Sequence, residues 1–126
     1  MAEQLNRTVV SNVVPDGLLD AAYANHTIGI TVEAGQGELE RGTVLAINEA
    51  GKAVILGTEA AEGEAAPEAR YILNKAVDAT EADAVALAYD EGRFIRQNLI
   101  VKEGYEMTAA DVDALRVHNI CIADEL

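Results

Sequence analysis

Thr27-Ile28-Gly29-Ile30-Thr31-Val32-Glu33 is the stretch that decides the fold class. Ile28, Ile30 and Val32 point one way, and Gly29, Thr31 and Glu33 the other. A period of two built on β-branched residues marks a half-buried strand. Ala34-Gly35-Gln36-Gly37 follows as a turn. Gly42 to Asn48 predicts a second strand, with Val44 and Leu45 at its centre. Glu49-Ala50-Gly51-Lys52 is a tight turn in which Gly51 can take positive φ. Ala53-Val54-Ile55-Leu56 returns as a third strand, completing a hairpin.

Farther along, residues 57–69 are acidic, small and without large hydrophobes, so they predict a solvated loop. Tyr71-Ile72-Leu73 leads a strand that ends near Val77, and residues 78–83 form a turn. Val85, Leu87 and Tyr89 recur at period two with Ala84, Ala86 and Ala88 between them. Small side chains on that second face predict close packing against another layer or another subunit. Gly92 permits a bend or bulge before Phe94. One helix is predicted, at about 108–118. Thr108 is its N-cap with Asp111 as capping-box partner, Met107 and Val112 occupy the staple positions, and Asn119 is the stop. Ile120 and Ile122 alternate as a last short strand. The fold class is therefore mainly β: a β-rich α+β domain over residues 27–126 with one short C-terminal helix.

On the amino-terminal side, residues 1–26 lack steady periodicity. Val9-Val10 and Val13-Val14 are followed by Pro15, which removes an N–H and holds Val14 extended. This segment is read as an arm. It cannot bury enough apolar surface alone to offset its ordering entropy, so it is expected to be largely disordered in the free protein.

Composition narrows the function. The chain has 126 residues, the size of one domain, with 9 Lys and Arg against 22 Asp and Glu, for a formal net charge of −13. Such a surface repels phosphate, so nucleic-acid binding is not expected, and neither is an anionic membrane surface. No run of 18 apolar residues spans a bilayer. The opening residues carry no basic stretch followed by an apolar block, so no secretory signal is expected. The lone Cys121, between Ile120 and Ile122, is expected to be a buried, inert thiol.

Catalytic chemistry finds little support. His26 and His118 lack companion ligands, and the only serine, Ser11, lies in the irregular arm. Gly35-Gln36-Gly37 begins a dinucleotide fingerprint, but Glu40 takes the third glycine position and no βαβ unit surrounds it. Asp78 to Asp83 lacks the third-position ligand and the glycine of a calcium loop. Asp111 and Asp113 fall on different helix faces. Lys52 on its turn brings to mind the modified lysine of biotinyl or lipoyl carriers, but Gly51 and Ala53 are not the residues that flank such a lysine. No enzyme activity, metal or cofactor is expected.

Five motifs, in order, carry a family resemblance. They are Leu39-Glu40-Arg41-Gly42-Thr43-Val44-Leu45; Arg70-Tyr71-Ile72-Leu73; Val77-Asp78-Ala79-Thr80; Tyr89-Asp90-Glu91-Gly92-Arg93-Phe94; and the terminal helix followed by Asn119-Ile120-Cys121-Ile122. Over about residues 27–123 the chain resembles the phage head decoration protein family. The resemblance implies a small β-barrel or tulip-like domain that forms homotrimers. It implies binding to the outside of the expanded head at three-fold positions, where the trimers reinforce it against packaged DNA. The partner implied is the phage major capsid protein, engaged by an amino-terminal arm that pairs with one of its strands. Leu5, Thr8, Val9, Val10, Val13 and Val14 would carry that pairing, and Ala84, Ala86 and Ala88 are candidates for the trimer contact. The location implied is the outer surface of the virion, after assembly in the host cytoplasm. A small cellular β-barrel binding or carrier module is the alternative.

Overall fold

The computed structural model describes residues 26–60 and 62–123. Within these residues eight strands and one α-helix follow in chain order, with a single 3-10 turn at Arg96–Asn98. They are β1 (His26–Val32), β2 (Gly37–Leu39), β3 (Val44–Ile47), β4 (Ala53–Ile55), β5 (Glu68–Leu73), β6 (Val77–Ala79), β7 (Ala84–Ile95), α1 (Ala109–Val117) and β8 (Ile120–Ala123). The β3–β4 hairpin is held at its tip by Asn48, whose Oδ1 accepts from the N–H groups of Ala50 and Lys52, each at 3.0 Å. Gly51 takes φ 81° there, a conformation that costs glycine little.

Five strands close into a barrel in the order β1-β4-β3-β5-β7 and back to β1. The long seam is β1 against β7, antiparallel from Thr27↔Tyr89 to Val32↔Ala84. The register slips between His26 and Thr27, which leaves Asp90 as an extra residue on β7. The short seam is β1 against β4, parallel, through Val32↔Ala53 alone. There the Glu33 N–H donates to the Ala53 carbonyl at 2.9 Å. β8 runs parallel to β7 from Gly92↔Ile120 to Ile95↔Ala123. Parallel neighbours need a long crossover, and residues 96–119, including α1, supply it.

Two apolar layers result. All five barrel strands contribute to one cluster, which identifies it as the barrel interior: Val32, Ala53, Leu45, Leu73, Ala86 and Ala88, closed at one end by Leu39 of β2 and Ala79 of β6. The opposite faces of β3, β4, β5 and β7 form a second cluster, including Val44, Val54, Ile72 and Phe94. Leu115 of α1 and Ile120 of β8 cover it. Phe94 is fully buried and meets Tyr89 edge to face, with ring centroids 5.2 Å apart. The buried Thr43 hydroxyl is satisfied by donating to the Glu40 carbonyl at 2.6 Å.

The helix forms as its sequence predicts. Thr108 Oγ1 accepts from the Asp111 N–H at 3.1 Å, and Asp111 Oδ2 accepts from the Thr108 N–H at 2.9 Å. Val112 and Leu115 make its buried stripe. Asn119 stops it at φ 68°, the left-handed conformation that asparagine tolerates.

Other elements differ from the sequence pattern. The turn at 34–37 ends in β2, and the turn at 78–83 begins inside β6; the two pair as Gly37↔Ala79 and Leu39↔Val77. The strand expected from Tyr71 to Val77 begins earlier, at Glu68, and stops at Leu73, because β5 follows β3 in register back to Ile47↔Glu68. Cys121 is half-buried rather than buried, since β8 is the last strand of the sheet and has a neighbour on one side only.

Candidate functional site

Where β7 meets solvent, its two faces divide sharply. Ala86 is buried at 7% exposure and Ala88 at 0%, with Ala84 half-buried; Val85 is 80% exposed and Leu87 37%. The alanines therefore meet their other layer within the chain. A narrow five-stranded barrel leaves room for little more than a methyl group on the strand that touches both β1 and β5. Ala86 and Ala88 are buried within the single chain, and it is Val85 and Leu87 that β7 presents outward. Val117 on α1, 76% exposed, is the other large hydrophobic side chain at the surface of the described residues.

Beside β1 the closure of the barrel rests on the single Val32↔Ala53 pair with β4. A cleft of about 790 Å³ runs along Ile28 to Thr31 and is bounded across the gap by Ile47 and Tyr71. The root of the expected arm stands at its edge, because β1 begins at His26. There His26 Nδ1 lies 2.7 Å from Asp90 Oδ1, on the residue made extra by the register slip. The arm positions Leu5, Thr8, Val9, Val10, Val13 and Val14 lie outside the described residues.

The remaining titratable candidates hold the fold together. Lys52 Nζ sits 2.7 Å from Asp83 Oδ2, tying the β3–β4 tip to the loop before β7. The hydrogen bond to Asp83 and its charge hold the Lys52 ammonium above its ordinary pKa. Asp83 is correspondingly held below the usual carboxylate range, first by Lys52 and then by the Ala34 N–H, which donates to it at 2.8 Å. A lysine engaged in this way is a clasp between loops. Asp78 is lowered by the hydroxyl and N–H of Thr80, an arrangement that closes the turn after β6. Tyr105 donates to Asp111, which raises the Tyr105 pKa and fastens the segment before α1 to the helix start. Asp113 points elsewhere, 3.8 Å from Arg116. Among the described residues no group of three His, Cys, Asp or Glu side chains is placed to hold a metal.

Among the described residues this surface offers a β1 edge paired with β4 at one position, a cleft and outward apolar side chains on a barrel stiffened by loop clasps. The family model of bacteriophage lambda head decoration protein D matches residues 11–120, and the chain belongs to that family. Membership gives it a role in decorating the phage capsid and a place in the virion. No curated protein matches the chain.

The sequence pattern missed the cleft. An isolated strand does not reveal which of its edges is paired.

Proposed function

We propose that the protein is a cement protein that binds as a homotrimer to the outside of the expanded phage head at three-fold positions. There it stabilises the shell against the pressure of packaged DNA. The observation that carries this reading is the family match over residues 11–120. The charge agrees with it: a chain of −13 is not drawn to the DNA inside. Residues 1–26 serve as the capsid-binding arm, in which Leu5, Thr8, Val9, Val10, Val13 and Val14 add as a strand to the major capsid protein. Main-chain hydrogen bonds would supply affinity and alternate side chains specificity. In the trimer, the outer face of β7, Val85 and Leu87, is the subunit contact offered by that strand. Assembly takes place in the host cytoplasm.

The test adds purified protein to expanded heads that lack decoration. Density at the three-fold positions, together with heads that survive conditions that burst undecorated ones, is the expected result. Deleting residues 2–14 should leave the protein folded and abolish or strongly weaken binding. Full binding by the truncated chain removes the arm from the reading, and no binding by the intact chain removes the reading itself.

A further inference from the structure

Three strands meet at one corner of the barrel. Val32, the last residue of β1, pairs with Ala84 at the start of β7 and with Ala53 at the start of β4. The two contacts differ in extent. The β1–β7 ladder runs on to Thr27, whereas β1 and β4 pair at this position alone. Closure of the barrel therefore depends on what holds the β3–β4 hairpin against the end of β1.

One carboxylate reaches all three strands there. Asp83 directly precedes Ala84, Lys52 directly precedes Ala53, and Ala34 lies two residues past Val32. Asp83 Oδ1 accepts from the Ala34 N–H at 2.8 Å, and its Oδ2 meets Lys52 Nζ at 2.7 Å. Further ties across the seam are the Glu33 N–H to the Ala53 carbonyl and the Ile55 N–H to Gln36 Oε1, each at 2.9 Å, and the Asn48 amide to Glu33 Oε1 at 3.3 Å. The charged groups around Asp83 are Lys52 on the hairpin tip and, on its own loop, Asp78 and Glu81, which line the same hollow. Glu33, at the end of β1, acts on Lys52. A lysine stays charged throughout the acid range, so acid changes the carboxylates of this corner and leaves their cation as it is.

We propose that Asp83 is an acid-released latch: its carboxylate closes the barrel at the β1–β4 seam, and its protonation frees the β3–β4 hairpin from β1 while the β1–β7 ladder stays paired. A neutral Asp83 no longer attracts Lys52 and accepts more weakly from Ala34. The seam then has one strand pair to rely on and the ladder has many, and such uneven stability lets one part of a fold open without the rest. Lys52 and then Ala34 hold the folded Asp83 carboxyl below its ordinary pKa. The latch is therefore fully set above the ordinary carboxylate range and releases as pH falls through the lowered value. Once open, the seam joins the cleft along Ile28 to Thr31 with the interior around Val32, Leu45 and Ala53. The latch belongs to the barrel and is independent of head binding.

Amide hydrogen exchange tests it, read as protection factors so that the intrinsic pH dependence of exchange is removed. Between about pH 6 and about pH 2.5, the Glu33 and Ala34 amides of the parent should lose protection at least about threefold more than the amides of the β1–β7 ladder. Asp83→Asn, close in shape but uncharged, should show the lower Glu33 and Ala34 protection already at pH 6 and no excess loss in acid. Lys52→Met should also lower Glu33 protection at pH 6, which ties the effect to the ion pair. In both variants, ladder amides protected as in the parent at pH 6 show that the barrel has folded. Equal loss at seam and ladder in the parent overturns the proposal, because the protein then unfolds in acid as one unit. The same excess loss in Asp83→Asn as in the parent also overturns it, since another carboxylate would then carry the response.

Discussion

Replacing Ala88 with leucine tests how the barrel is filled. Ala88 is fully buried, and its cross-strand partners are Ile28 on β1 and Leu73 on β5. The Leu73 and Val32 side chains in the same interior are also fully buried. A leucine adds three carbons to a site bordered on both sides by strands, and close-packed interiors yield little. Overpacking of this kind costs about 1–3 kcal/mol. For a chain of this size each kcal/mol moves the melting temperature by about 3–5 °C, so Ala88→Leu should melt roughly 3–15 °C below the parent. Val85→Leu, on the outer face of the same strand, should change the stability of the single barrel by no more than about 0.5 kcal/mol. Thermal unfolding followed by circular dichroism reads the stability, and sedimentation velocity reads the assembly. The opposite pattern would refute the reasoning: an Ala88→Leu protein with the parent melting temperature that sediments as a folded monomer. The alanines would then lie between subunits, and the interior would be filled in another way.

Three further outcomes are expected. Thr108→Ala removes the capping box and should cost about 1 kcal/mol, seen as a lower denaturant midpoint with an unchanged slope. Gly57 sits at φ 107°, and an added Cβ would lie 2.8 Å from Tyr105 Cβ and 2.9 Å from Lys102 Cβ. Gly57→Ala should therefore destabilise by about 2 kcal/mol or more and expose residues 99–107 to limited proteolysis. The third outcome concerns pH. The folded Asp83 carboxyl is held below its ordinary pKa by Lys52 and Ala34, so its contribution is present above the unfolded value and is lost as pH falls through the lowered one. Chemical denaturation from about pH 6 to pH 2 should show Asp83→Asn losing less stability than the parent as the acid carboxylate range is crossed.

What the sequence made legible was local. β1 follows from six residues of strict alternation, the β3–β4 hairpin from the Glu49-Ala50-Gly51-Lys52 turn, and α1 from Thr108, Asp111 and Asn119. Each depends on groups within a few positions of one another. β2 and β6 were not legible, because each is three residues long and finds its partner about 40 residues away. On β7 the alanine face packs against another layer, one of the two alternatives its small side chains predicted. Val85 and Leu87 have the larger apolar side chains, and on most half-buried strands the larger side chains face the core. Inside the barrel Val32, Leu45 and Leu73 from the other strands take up the space, and the alanines of β7 turn inward. That constraint comes from closure of the sheet, which no single strand encodes. The same holds for the cleft, since the free edge of β1 exists only because the β3–β4 tip stops short of Thr31.

The placement of β1 also has a mechanical consequence. Hydrogen bonds across an antiparallel pair run perpendicular to the strands. Tension entering at His26 along the axis of β1 is therefore borne in shear by the whole ladder from Thr27 to Val32 against β7, rather than peeling one rung at a time. β7 passes the load on in two directions, to β5 and to the parallel β8. A strand anchored in this way resists sudden extension far better than one pulled from its side, and a barrel tethered by its amino-terminal end becomes a rivet whose shank is β1 clamped along β7.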